Sequence, residues 1–346
     1  MRLFTILFLF AAAPMLRAAD GVPAAAVPAV LVRMENFLVS PSTGPVTHAV
    51  LKNQLTGAFT GTLRVEFPDG WKTTPAQHTV SLQPGETKKF AFAIERGTDR
   101  ESNAYPVKIT VAGNGMTSTS SQSVVCASSP YFKPVIDGDP ADWKDAIPIT
   151  FTTGGKQTVV RTYWSKKQFC LAVEVEEETL TGRETAAGGN GMDAVLFAVG
   201  PTEAATPGDP PARYEFMLVS STAAASGGVC LLRQAAAHAN PAAPVQAEEC
   251  PTAKIAVKRT GKITFYELAI PLSLMPELRP DAGREYRFGL LVQDAGGTGL
   301  RDLGDVMNLW PEQRHPHAWS NWPQINWGPR PPTAGSVEFG FCSSIH

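Results

Sequence analysis

The chain lacks the signatures that most readily assign a function. It has no G-x-S-x-G nucleophile elbow, no H-E-x-x-H and no phosphate-cradling P-loop, which removes the commonest hydrolase, zinc-protease and nucleotide-binding motifs. No C-x-x-C pair exists either, so the usual zinc and redox motifs are missing. Concentrated positive charge is absent: 30 Lys and Arg are scattered among 32 acids, for a net charge of -2. A groove that tracks a phosphate backbone needs clustered basic residues, so nucleic acid is excluded as a partner. Long apolar runs are also wanting. No stretch after the leader approaches the ~20 apolar residues that cross a bilayer, and no membrane span is expected.

The leader itself has a recognisable plan. Arg2, an apolar run over 3–13, Pro14 and the small pair Ala18-Ala19 read as a secretory signal peptide over 1–19, removed near Ala18 or Ala19. The mature chain is therefore expected to be secreted, or periplasmic at the cell envelope. Cys126, Cys170, Cys230, Cys250 and Cys342 then meet an oxidising compartment. Cys230 and Cys250 flank an Ala/Pro-rich segment at 234–246 and are expected to clip its base as a disulfide.

Period-two alternation dominates the rest. Ala49 and Leu51 oppose His48, Val50 and Lys52; Leu63, Val65 and Phe67 share a face; Phe90, Phe92 and Ile94 share another; Tyr105, Val107, Ile109 and Val111 follow. Turns such as Pro68-Asp69-Gly70 and Gly113-Asn114-Gly115 separate these runs, the pattern of antiparallel strands in a sandwich. After the turn at 135–143, strands are expected over 193–199, 214–219, 229–233, 255–259, 264–270, 286–293 and 337–341. Phe169, Leu171, Val173 and Val175 should face inward, turning Glu174 and Glu176 out, and the run Glu176-Glu177-Glu178 reads as a solvated strand edge. The fold class is all-β: two β-sandwich domains, over 20–130 and 131–346.

Two resemblances attach to this frame. Phe67-Pro68-Asp69-Gly70-Trp71, followed by Leu82-Gln83-Pro84-Gly85-Glu86, resembles the immunoglobulin-like accessory modules of secreted glycosidases. The second half is similar to carbohydrate-binding module family 9. The matching pieces are Ile136-Asp137-Gly138 with Asp142-Trp143, Phe169-Cys170-Leu171-Ala172-Val173, Met192-Asp193-Ala194-Val195, Tyr266-Glu267-Leu268-Ala269-Ile270-Pro271, and Phe288-Gly289-Leu290-Leu291-Val292-Gln293-Asp294. The resemblance implies a carbohydrate ligand held between two tryptophans, bound calcium and no catalysis. Trp327 matches one tryptophan; the other falls at Asn190, the family's carboxylate at Leu196 and its arginine at Glu215. The scaffold pieces are thus kept while the sugar site is altered.

Candidate ligand contacts are accordingly Trp319, Trp322 and Trp327, whose rings could carry the apolar faces of sugars, with Asn190 and Glu215 as polar partners. Calcium, should it bind, needs several loop oxygens, which Asp137, Asp139 and Asp142 could supply, or Asp294, Asp302 and Asp305. Trp71, Trp143 and Trp164 read as core anchors. The expected function is non-catalytic carbohydrate binding beside a glycosidase or envelope partner. The alternative is a structural or assembly protein of the cell envelope whose sandwiches bind other proteins.

Overall fold

The structure is a computed structural model describing residues 28–184, 191–208, 211–222, 227–235, 248–310, 313 and 339–343. The regular structure of the described chain is almost all strand, arranged as four sheets. Strands β1 (Val30–Met34), β2 (Val46–Asn53), β4 (Lys72–Thr74) and β6 (Thr87–Arg96) form a sheet in the order β1-β2-β6-β4. Facing it are β3 (Phe59–Glu66), β5 (Gln77–Leu82), β7 (Tyr105–Gly113) and β8 (Met116–Val124), in the order β5-β3-β7-β8. Alternation decides which side chains meet: Tyr105, Val107, Ile109 and Val111 are buried while Pro106 and Lys108 are exposed. Trp71 closes this core against Phe37 and Tyr105, with ring centroids 5.8 and 5.5 Å away, and its indole N–H donates to the Thr98 hydroxyl at 3.2 Å.

The second sandwich is larger. One sheet runs β10-β11-β12-β18-β17, from β10 (Ile149–Thr153), β11 (Lys156–Trp164), β12 (Gln168–Glu176), β17 (Lys254–Thr260) and β18 (Ile263–Pro271). The other contains β9 (Ser128–Ser129), β13 (Ala194–Pro201), β14 (Arg213–Ser220), β15 (Gly228–Ala235), β16 (Glu248–Glu249), β19 (Glu285–Asp294) and β21 (Phe339–Ser343), with β20 (Gly299–Asp302) paired to β19. The strands expected from sequence are present; the last is described over Phe339–Ser343. One short helix, α1 (Leu303–Val306), follows β20.

The two cores are joined by a continuous stretch of backbone. Val124 and Cys126 pack into the first core, whereas Val125 and Ala127 pack into the second. Backbone bonds from Phe37 N to Val125 O (2.9 Å) and from Ala127 N to Phe37 O (2.7 Å) hold this stretch extended. Asn103, buried and with φ at 47°, clamps the crossing: its amide accepts from Cys126 N at 2.8 Å and donates to Cys126 O at 2.9 Å and Pro148 O at 2.8 Å. A further tie runs from Arg33, on β1, to Gln313 at 2.7 Å and over the Trp310 ring at 5.6 Å.

Candidate functional site

Three strands of the second sandwich carry inward-facing apolar rows, and each row ends in a carboxylate. On β12 the row Phe169, Leu171, Val173 and Val175 is buried, and two residues on stands Glu177. On β13 the row Val199, Phe197 and Val195 leads back to Asp193; on β19, Tyr286, Phe288, Leu290 and Val292 lead to Asp294. Because β12 belongs to one sheet and β13 and β19 to the other, the three groups converge across one end of the sandwich. Each offers an oxygen within 4.8 Å of the others, and all three residues are buried.

Most of their oxygens have protein partners. Asp193 accepts from Thr181 N and from Ala295 N at 2.7 Å. Asp294 Oδ2 accepts from Thr298 N and Oγ1, both at 3.0 Å, and from Arg301 Nη2 at 2.7 Å. Glu177 Oε1 accepts from Arg259 Nη1 at 3.1 Å and from the Thr264 hydroxyl. Arg301 is itself held by Thr298 Oγ1, Thr158 Oγ1 and the carbonyls of Gln157 and Glu176, so its charge cannot swing away. Glu177 Oε2 and Asp294 Oδ1 are buried with no hydrogen-bond partner in the protein. The turn after β19 lies directly on the cluster: a Cβ at Gly297 would sit 2.6 Å from both Asp294 oxygens.

Burial raises the pKa of Glu177 to about 7, partly opposed by the Thr264 hydroxyl. It raises Asp193 to about 6, against the two backbone N–H groups that favour its anion. Paired carboxyls of unequal acidity can serve as acid and base, but a glycosidase pair must flank an accessible bond. Glu177 and Asp193 are both 0% exposed, so this cluster does not reach a substrate.

The residues singled out from sequence fall differently. Asp137, Asp139 and Asp142 do not form a metal centre; they cap their own turn, accepting from Asp139 N at 2.9 Å, Ala141 N at 3.0 Å and Val135 N at 2.7 Å. That turn is anchored by Glu267, whose carboxylate accepts from Asp137 N at 2.9 Å, Gly138 N at 2.7 Å and the Trp143 indole at 2.7 Å. Of the other acidic trio only Asp294 joins the cluster, since Asp302 caps α1 through Gly304 N at 2.8 Å. Glu215, expected to touch a sugar, is instead fully buried, its Oε1 accepting from Arg213 Nε at 2.7 Å. Leu196 lies in an apolar cluster with Met192, Ala194, Met217, Val219 and Leu291. Trp319, Trp322, Trp327 and Asn190 lie outside the described residues.

Two other expectations are corrected. Cys230 and Cys250 are buried neighbours, with Cys250 N donating to Cys230 O at 3.0 Å, but they stand as free thiols, hydrogen-bonded to each other and not bridged. The acidic run at the end of β12 is not uniformly solvated: Glu178 is exposed, whereas Glu177 is turned inside. Its parity with Val175 is the signal that marks it, because an inward row that reaches a charged residue keeps its direction until the strand ends.

Fold and site together define an all-β chain of two sandwiches, the second closed at one end by buried carboxylates. Comparison with known proteins adds particulars. Residues 42–113 match the family model described as the NPCBM-associated, NEW3 domain of alpha-galactosidase. No curated protein matches the chain. Similar solved structures include a carbohydrate binding module family 9 from Caldicellulosiruptor kristjanssonii in complex with cellotriose, 13% identical with a TM-score of 0.39, covering 63% of this chain and 93% of that one. The same organism's family 9 module in complex with glucose is 16% identical with a TM-score of 0.33, covering 49% and 78%. Both resemblances drawn from the sequence recur in these comparisons.

Proposed function

We propose that this chain is a secreted, non-catalytic carbohydrate-binding protein that works beside a glycosidase. The observation that carries this reading is the match of residues 42–113 to a module named for its place in an alpha-galactosidase. The order of pieces in the second half supports it. Phe169 to Val173 fall on β12, Ala194 and Val195 on β13, Tyr266 to Pro271 on β18 and Phe288 to Asp294 on β19. Sugar recognition is assigned to the late tryptophans Trp319, Trp322 and Trp327, because the polar pair that the family resemblance would require is replaced by Leu196 and a buried Arg213–Glu215 pair. A sugar bound here therefore meets aromatic surface and few charges, so specificity should be loose. The enclosure of Glu177 and Asp193, which keeps that pair of carboxyls from a substrate, supports the non-catalytic reading.

Affinity electrophoresis through gels containing individual polysaccharides tests this. At least one gel should retard the wild-type chain, and Trp327→Ala should weaken that retention at least tenfold. Free migration through every gel, with and without calcium, would overturn the proposal. A second reading, protein assembly at the envelope, is favoured by the exposed Tyr131, Phe132 and Val135 at the entrance to the second sandwich, with Val135 63% exposed. Concentration-dependent association without sugar, lost on Phe132→Ser, would select it.

A further inference from the structure

We infer that the cleft beside the 67–71 turn of the first sandwich is a binding site for a short neutral oligosaccharide. It is separate from the late tryptophans invoked above and does not rest on them. The cleft measures about 600 Å³, within the range of small-molecule sites. It opens where the chain leaves β3, turns, and runs through β4 into β5, the edge strands of the two facing sheets.

The floor is aromatic. Phe67 and Trp71 are half-buried, with ring planes 7° apart and centroids 6.1 Å apart. Phe67 is rooted on Phe92, and Trp71 on Phe37 and Tyr105, so the remaining surface of both rings lines the cleft. The Trp71 indole N–H is committed to Thr98, which fixes the ring and leaves its apolar surface for a ligand. The C–H faces of sugars lie on such surfaces.

The rim is polar, formed by Arg64, Glu66, Asp69 and Gln77. Gln77 stands opposite Arg64 in the β3–β5 register, so an amide and a guanidinium leave the same sheet face side by side. Asp69 is carried by a fixed turn: Trp71 N donates to Pro68 O and Arg96 Nε to Gly70 O, both at 3.1 Å. Gly70 takes a φ of 81°, the left-handed value that a type II turn needs at its third position. Neighbouring side chains are taken up in pairs, such as Lys72 with Glu95 and Lys108 with Glu66. By contrast, Asp69 and Gln77 have no side-chain partner among the described residues, and Glu66 approaches Arg64 only to 4.0 Å.

These groups select the ligand. A sugar hydroxyl both donates and accepts, and the rim offers a donor in Arg64, acceptors in Glu66 and Asp69, and an amide that does both. Two carboxylates against one guanidinium leave the cleft negative, which disfavours phosphorylated or acidic ligands. A wholly apolar ligand would desolvate the rim without pairing it.

Neutral trisaccharides of glucose, galactose and mannose, titrated into the full chain and read by saturation-transfer NMR and calorimetry, test this. With Trp327→Ala weakening the late site, at least one trisaccharide should still bind. Adding Asp69→Ala and Gln77→Ala to that chain should weaken binding at least tenfold without moving the thermal transition, since neither side chain holds the fold. Thr119→Ala, exposed on β8 of the same sheet, should leave binding unchanged. The same trisaccharide ending in a uronic acid should bind more weakly than the neutral form. No binding to the Trp327→Ala chain, binding indifferent to Asp69 and Gln77, or tighter binding of the acidic form would overturn the inference. Binding lost in Trp327→Ala yet kept in Asp69→Ala/Gln77→Ala would refute this site and sustain the late tryptophans; the reverse pattern would do the opposite.

Discussion

The two sandwiches solve the same packing problem with different chemistry. In the first, burial is one-sided: β3 and β7 alternate buried and exposed positions, and β8 is exposed along most of its length. Apart from the buried Arg33 on β1, its charges sit mostly outside, in surface pairs such as Lys72–Glu95 at 2.7 Å and Lys108–Glu66 at 3.6 Å. In the second, every position of β13 and β14 is buried, so both faces of the central strands are covered. Charges lie inside it: Glu177, Asp193, Arg213, Glu215, Glu267, Asp294 and Arg301. A buried charge is tolerated only with matched partners, so each fixes the position of several neighbours. The first sandwich thus needs only the right apolar parity, whereas the second also needs particular polar side chains from distant parts of the chain.

That contrast can be broken by experiment. The largest effect should come from Arg301→Leu, which strands Asp294 and the carbonyls of Gln157 and Glu176; loss of one partner in a buried pair costs about 3–5 kcal/mol, read as a lower midpoint in denaturant. No surface pair of the first sandwich should approach this; an equal loss from Glu95→Gln would erase the distinction.

Asn103→Ala comes next. Removing three bonds at the crossing should cost about 1–3 kcal/mol and separate calorimetric unfolding into two transitions. A single, unshifted transition would show that the clamp contributes nothing to coupling.

The two tryptophans sharpen the comparison further. Trp143→Phe removes a bond to the buried Glu267 carboxylate and should cost about 1.5–3 kcal/mol, while Trp71→Phe loses only a bond to a neutral hydroxyl, about 0.5–1.5 kcal/mol. Chemical denaturation of both variants gives the ranking, and a reversed order contradicts it.

The smallest effect concerns Glu178. Hydrogen bonds from Lys156 and then Lys262 lower its pKa from 4.5 to about 2. The folded value lies below the unfolded one, so the stabilisation is present above pH 4.5 and is lost as pH falls towards 2. Because the group is exposed, the difference between wild type and Glu178→Gln should be slight and should vanish in high salt. Melting curves at several pH values and two salt concentrations check this.

Much of the fold was legible because alternation is a local signal. Phe169 to Val175 and Tyr105 to Val111 announce both their strand and their inward face within a few residues. The carboxylate cluster was legible only in part. Parity points Glu177, Asp193 and Asp294 inward, yet nothing local says that residues so far apart meet, since that follows from β12 and β19 lying in opposed sheets. Asp137, Asp139 and Asp142 were read as a metal set from proximity in sequence, but neighbouring aspartates in a turn find their own backbone N–H groups first. Glu215 was assigned by correspondence with a family position; its neighbour two residues back, Arg213, claims it on the same strand face.

The crossing between the cores imposes a rule on insertions. Side chains from Val124 to Ala127 go alternately to one sandwich and the other. Adding a single residue just before Val124 would exchange the destinations of all four, sending Val125 and Ala127 to the first sandwich and Val124 and Cys126 to the second. Adding two residues would restore the assignment. Chain length at this joint should therefore be tolerated in even steps and refused in odd ones, as though the linker were read in a frame of two.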